Sequence, residues 1–146
     1  MRLTDGYNLA AGALLTFLAE ALHQYGAVLA TFLAFNILDW ITGTLRARLE
    51  RKESSVAGLK GICKKIGYWV MLLVAVLTGY NLRILGQELG VALAAAEYIG
   101  WLTLAMLVIN EARSITENLV GMGVNVPRVF TKGLAIAADK LQEKTE

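Results

Sequence analysis

Three long stretches of this chain carry almost no charge, and that limits its folding more than any other feature. ALHQYGAVLATFLAFNIL lies between Glu20 and Asp39, and IGYWVMLLVAVLTGYNL lies between Lys65 and Arg83. LGVALAAAEYIGWLTLAMLVIN lies between Glu88 and Glu111, interrupted only by Glu97. A transmembrane helix needs about 20 mostly apolar residues, so the runs predict spans over residues 22–45, 64–82 and 89–110. Hydrocarbon offers no partner to a bare amide, which makes helices the default, and the strand-like alternation of a membrane barrel is absent. The expectation is therefore an all-α integral membrane protein, with residues 1–146 forming a single membrane domain. Its composition agrees: 56% hydrophobic, 18% charged and a mean hydropathy of +0.53 depart from soluble averages. A soluble helical bundle is the competing class.

The segment GYNLAAGALLTFLA is too short to cross, since fourteen residues extend only about 21 Å as a helix. An interfacial helix over about 6–20 is the preferred reading. A fourth span tolerating Glu20, and a signal sequence cleaved near Ala19-Glu20-Ala21, are the alternatives. Basic residues set the orientation. The linker over 46–65 holds seven lysines or arginines against two glutamates, whereas Arg2 and Arg83 stand alone in the other flanking regions. Positive flanks stay in the cytoplasm, which puts linker and tail (111–146) inside and the N-terminus outside. Tyr25, Trp40, Tyr68, Trp69 and Tyr80 fall near predicted span ends, as interfacial rings should.

Polar groups within the spans point toward activity. Asn36, Asp39, Gly43 and Arg46 recur at helical spacing as one stripe that should face protein or water. A carboxylate deep in a bilayer costs about 2.5–3.5 kcal/mol on insertion scales. Asp39 and Glu97 are therefore candidate pore or interhelix residues, and pairing of Asp39 with Arg46 is the structural alternative. Small residues form a second pattern suited to close helix packing: Ala75 and Gly79 in the second run, Ala92, Ala96, Gly100 and Thr103 in the third, and Ala27, Ala30 and Ala34 in the first. A net charge of +2 argues against nucleic acid. One histidine and one cysteine give no metal-ligand spacing, no cofactor loop is present, and no base stands near a nucleophile, so an enzyme is not expected. After Asn110 a helix can continue into water as EARSITENLV. Gly121 or Gly123 can stop it, and Pro127 can open a new helix with Asn125 as a possible cap. Val126, Phe130, Leu134, Ala137 and Leu141 share one face of that amphipathic cytoplasmic tail helix.

Several of these residues also form recognisable motifs. Glu111, Ser114, Ile115, Glu117 and Asn118, followed by Gly123, Val124 and Pro127, then Lys132 and Leu134, resemble the E-x-x-S-I-x-E-N and G-V-x-V-P elements of the toxin-secretion and phage-lysis holins. Leu38-Asp39 with Thr42-Gly43 is similar to the LDxxTG element of that family, and Ser55, Gly58, Leu59, Lys64 and Lys65 resemble its linker. The likeness runs from about residue 30 to 134. It implies a small three-span protein that self-associates in the lipid bilayer and permeabilises it to release endolysin or toxin, with an antiholin as a possible partner. Asn36, Asp39, Thr42, Gly43 and Glu97 are the candidate pore or interhelix polar residues, of which Asn36, Asp39 and Glu97 would turn toward water in an assembled ring. A small ion channel or transporter subunit, and an antiholin or membrane scaffold, are the other classes that fit.

Overall fold

The computed structural model describes residues 3–91 and 93–144, apart from the side chains of residues 3–5, 94 and 97. Every regular element among them is helical: α1 (Leu3–Leu22), a 3-10 turn (His23–Tyr25), α2 (Gly26–Leu49), α3 (Ser55–Leu89), α4 (Ala94–Gly121) and α5 (Arg128–Glu143). Two helical stretches, Gly6–Leu49 and Ser55–Leu89, are long and apolar enough to cross a bilayer. No loop separates the predicted interfacial helix from the first predicted span, because α1 and α2 meet at the single 3-10 turn. The second helix starts nine residues before the predicted span. Nothing in SVAGLKGICKK breaks a helix, and Ser54, in extended conformation, caps it by accepting a hydrogen bond from the Ala57 amide through its hydroxyl oxygen at 3.4 Å.

Helix ends follow one hydrogen-bond pattern. After α4, the Val124 N–H donates to the Leu119 carbonyl at 3.0 Å and the Gly123 N–H to the Val120 carbonyl at 2.9 Å. Gly123 takes φ +86 to allow this, the paired bonding that closes many helices. After α2 the same bonds run from Lys52 to Ala47 and from Arg51 to Arg48, but the left-handed position, φ 54, belongs to an arginine. Left-handed backbone costs a residue with a side chain about 1–2 kcal/mol. Gly123→Ala is therefore expected to destabilise by about 1 kcal/mol and Arg51→Gly to stabilise by a similar amount, read as opposite shifts of the unfolding midpoint in detergent. Pro127, not Asn125, occupies the cap position of α5. It offers no side-chain cap, and its carbonyl accepts from the Phe130 N–H at 3.0 Å.

The helices are organised around α4, which packs against α2, α3 and α5. α2 and α3 touch at the Phe32–Trp69 ring pair, 4.9 Å between centroids, and at the Asp39–Lys65 ion pair. α1 reaches α3 where Phe17 meets the edge of Tyr80 at 5.5 Å. The apolar core is a thin seam of Ala21, Tyr25, Phe32, Leu72, Val76, Leu104 and Leu107. Tyr25, expected as an interfacial ring, is only 3% exposed and lies tilted by 47° against Trp101, 4.5 Å between centroids. Small residues let this seam close. A Cβ on Gly79 would lie 2.6 Å from the Ala96 carbonyl oxygen, and one on Gly100 would collide with the Tyr25 hydroxyl. Ala75 and Ala96 are buried beside them, whereas Ala92 lies outside the described residues. The outward faces of α2 and α3 remain apolar, with Leu33, Ile37, Trp40, Ile66, Val70 and Val74 all exposed. So continuous an apolar exterior suits hydrocarbon, not water.

Candidate functional site

The polar stripe of α2 faces α4, and α3 contributes a lysine between them. Lys65 places its ammonium 2.9 Å from a carboxylate oxygen of Asp39 and also pairs with Glu111. Asn118 completes the node: its amide donates to the other Asp39 oxygen at 3.1 Å and to the Thr42 hydroxyl at 3.2 Å. The Thr42 hydroxyl donates in turn to the Leu38 carbonyl at 2.9 Å. Gly43 lies against the same Asn118 amide. One layer farther along the bundle, the Asn110 amide donates to the Tyr68 hydroxyl at 3.1 Å. Three helices are therefore tied by hydrogen-bonded charges on their inner faces.

Burial makes the node consequential. Glu111 is 2% exposed, and the side chains of Asp39 and Lys65 are 17% and 20% exposed. One cation stands between two carboxylates, so each partner makes tolerable the burial of the others. Asn36 sits on the same stripe, 6% exposed. Its amide donates to the Phe32 carbonyl at 2.8 Å, while its carbonyl oxygen has no hydrogen-bond partner among the described residues. Beside the node opens a cleft of about 530 Å³, lined in part by Asp39, Gly43, Ser55, Lys65, Ser114 and Asn118. Water can therefore come close to the ion pairs without crossing the apolar seam.

The structure unites several sequence expectations and separates others. Asn36, Asp39, Thr42, Gly43, Glu111 and Asn118 meet in or beside the node, and Ser114 lines its cleft. Ile115 is half-buried on α4, and Glu117 is exposed beside Arg113 at 3.9 Å. Gly123 and Pro127 shape the turn into α5. The Glu97 side chain lies outside the described residues. Asp39 does not pair with Arg46, which turns instead to Glu50 at 2.7 Å and fills the space that a side chain on Gly121 would need. Hydrogen bonds from Arg46 and then Lys52 hold the Glu50 carboxyl below its usual range. Lys65, Tyr68 and Asn110 were not singled out as site residues from the sequence. The available signal was a lysine pair opening an apolar run, with an unpaired acid near the inner end of another.

The three segments that build this node coincide with the sequence elements described above. The bacteriophage holin family model matches residues 16–139, extending the likeness upstream into α1. A probable holin of Bacillus phage phi105 is 28% identical over 114 residues, covering 78% of this chain and 76% of that protein. An uncharacterized 14.9 kDa protein of Clostridium perfringens is 35% identical over 108 residues, 73% of each chain. An uncharacterized protein of Listeria monocytogenes is 34% identical over 112 residues, 77% of this chain and 72% of its own length. No solved structure matches the chain.

Proposed function

The chain belongs to the bacteriophage holin family, and from that premise we propose that its copies assemble in the bacterial cytoplasmic membrane and permeabilise it to release endolysin or toxin. α2, α3 and α4 are the three spans in this reading. The basic 46–65 linker and α5 lie in the cytoplasm and the N-terminus lies outside, following the distribution of lysine and arginine. Family membership suggests a membrane-permeabilising protein without enzymatic activity.

The observation that carries the mechanism is the charged node at one end of the bundle. Within a single chain, Lys65, Asp39, Glu111 and Asn118 satisfy one another across three helices. Gly79, Ala75, Ala96 and Gly100 are used within that chain, so they are not free to join copies. Ala27, Ala30 and Ala34 on α2 are exposed and supply the small-residue face for association. Assembly opens a hole when the node exchanges internal pairing for hydration and Asn36 and Asp39 turn to line water. An antiholin would act by holding copies in the closed arrangement.

Expression in bacteria, followed by membrane potential and release of a cytosolic reporter enzyme, tests this reading. Collapse of the potential with release of the enzyme is expected. Ion leakage without enzyme release would instead indicate a small channel, and sustained growth at high membrane levels would indicate an antiholin or scaffold. Asp39→Leu is expected to insert normally but shift the onset of permeabilisation by a large fraction of its usual delay. Onset unchanged in the same cultures would remove Asp39 from the opening step.

A further inference from the structure

The apolar outer face of α3 does not stop where the charge-free run does. Val56, Leu59, Ile62 and Ile66 follow one another at spacings of three and four, on the helix face that continues as Val70. All five are well exposed, from 48% to 64%. Val56 precedes the node lysine, Lys65, by nine residues, about 14 Å along a helix. The other arm of the hairpin behaves alike, with Leu45 and Leu49 exposed beyond Asp39. A continuous exposed apolar stripe marks a surface that meets lipid or protein.

The same segment is strongly basic. Residues 46–64 hold six lysines or arginines against two glutamates. Both acids are already engaged within the hairpin: Glu50 by Arg46 at 2.7 Å and Lys52 at 3.1 Å, and Glu53 by Arg48 at 3.0 Å. Arg51, Lys60 and Lys64 have no acidic partner among the described residues. Lys60 and Lys64 are exposed one turn apart on a flank of the apolar stripe, and Lys64 lies 5.4 Å from the Tyr68 ring centroid. Apolar side chains edged by unpaired cations complement one kind of surface, an acyl boundary topped by phosphates. A second copy would instead bring the same excess of positive charge to the contact.

We propose that the end of the α2–α3 hairpin is a binding surface for anionic phospholipid. Val56, Leu59 and Ile62 enter the headgroup layer of the leaflet beside them, and Lys60 and Lys64 hold the phosphates of anionic lipids. The inference rests on the spanning arrangement proposed above, which puts this hairpin on the cytoplasmic side.

The test uses the full chain labelled at Cys63, its single cysteine, which is exposed on the stripe between Leu59 and Ile66. Donor-labelled protein is reconstituted at low density in phosphatidylcholine vesicles holding a minor fraction of phosphatidylglycerol, with an acceptor dye on the acyl chain of one lipid or of the other. Transfer to labelled phosphatidylglycerol is expected to exceed transfer to labelled phosphatidylcholine by at least about twofold, and concentrated salt should bring the two together. Lys60→Gln, Lys64→Gln, at exposed positions outside the node, should also equalise them while helicity is unchanged. Leu59→Gln, Ile62→Gln should raise the access of aqueous iodide to the dye at least about twofold, because the stripe no longer holds the segment in lipid. Equal transfer to the two lipids, a preference that survives the lysine changes, or iodide access unmoved by the apolar changes overturns the proposal. So does transfer between copies that exceeds transfer to either lipid, which would put a second copy on the stripe. Release of trapped dye from such vesicles reports separately on lysis. Release with no lipid preference around Cys63 keeps the permeabilising function and rejects the lipid surface. Preference without release in any lipid keeps the surface and rejects that function.

Discussion

Lys65→Leu is expected to lower the unfolding free energy of the helix assembly by about 3–5 kcal/mol, the usual cost of removing one partner from a buried ion pair. Two carboxylates, Asp39 and Glu111, would then face each other at the α2–α3–α4 junction, and the nearest donor left to Asp39 would be Asn118. Denaturant titration in mild detergent reports the loss. Trp69 and Trp101, which pack against Phe32 and Tyr25, provide fluorescence from two separate helix contacts. Adding Asp39→Asn and Glu111→Gln to Lys65→Leu removes the orphaned charge and should recover most of the stability, since a neutral replacement of a whole buried network is often close to neutral. A single Lys65→Leu variant that unfolds at the parental midpoint would mean that the three charges do not hold one another in solution. The same variant should permeabilise cells earlier or at lower levels, because the closed arrangement would be the weakened state.

Gly79→Leu is the second large expected effect. Its Cβ alone would sit 2.6 Å from the Ala96 carbonyl oxygen, and backbone cannot move aside as a side-chain tip can. The α3–α4 seam would have to part, at a cost of about 3 kcal/mol. Gly67, on the same helix, has open space where a Cβ would go. Gly67→Leu should change stability by less than about 1 kcal/mol, in the stabilising direction, because leucine favours a helix over glycine. Equal midpoints for the two variants would show that Gly79 does not mark a close approach of the helices.

Helical content and the position of the apolar runs were legible in the sequence because both depend on local spacing. The spacing of Ala75, Gly79, Ala96 and Gly100 was likewise visible in the sequence, and in the structure Gly79 faces the Ala96 carbonyl and Gly100 the Tyr25 ring. The partner of Asp39 was not visible in the sequence. Along one helix the natural candidate is Arg46, but that pairing ignores how far neighbouring helices are shifted relative to one another. α2 and α4 run parallel, with Tyr25 beside Trp101 and Asp39 beside Asn118, and α3 runs antiparallel, which brings Lys65 to their shared level. These offsets are set by where Gly79 and Gly100 allow contact, and a charge pattern alone does not contain them. Tyr25 misled for a related reason. A ring near the end of an apolar run belongs at an interface until a glycine opposite it opens a socket, and Gly100 does so. Asn125 looked like a cap because its side chain suits one, but Pro127 supplies the helix start through its backbone.

That α4 carries most of the packing against α2, α3 and α5 has a consequence during synthesis. The ribosome delivers α2 and α3 first, and until α4 emerges these two helices share little more than a ring pair and an ion pair. Most of the helix packing therefore forms only once Ala94–Gly121 has been made. A chain interrupted before Ala94 would carry Asp39 and Lys65 without Glu111 or Asn118, so its buried charges would lack two of the partners that satisfy them.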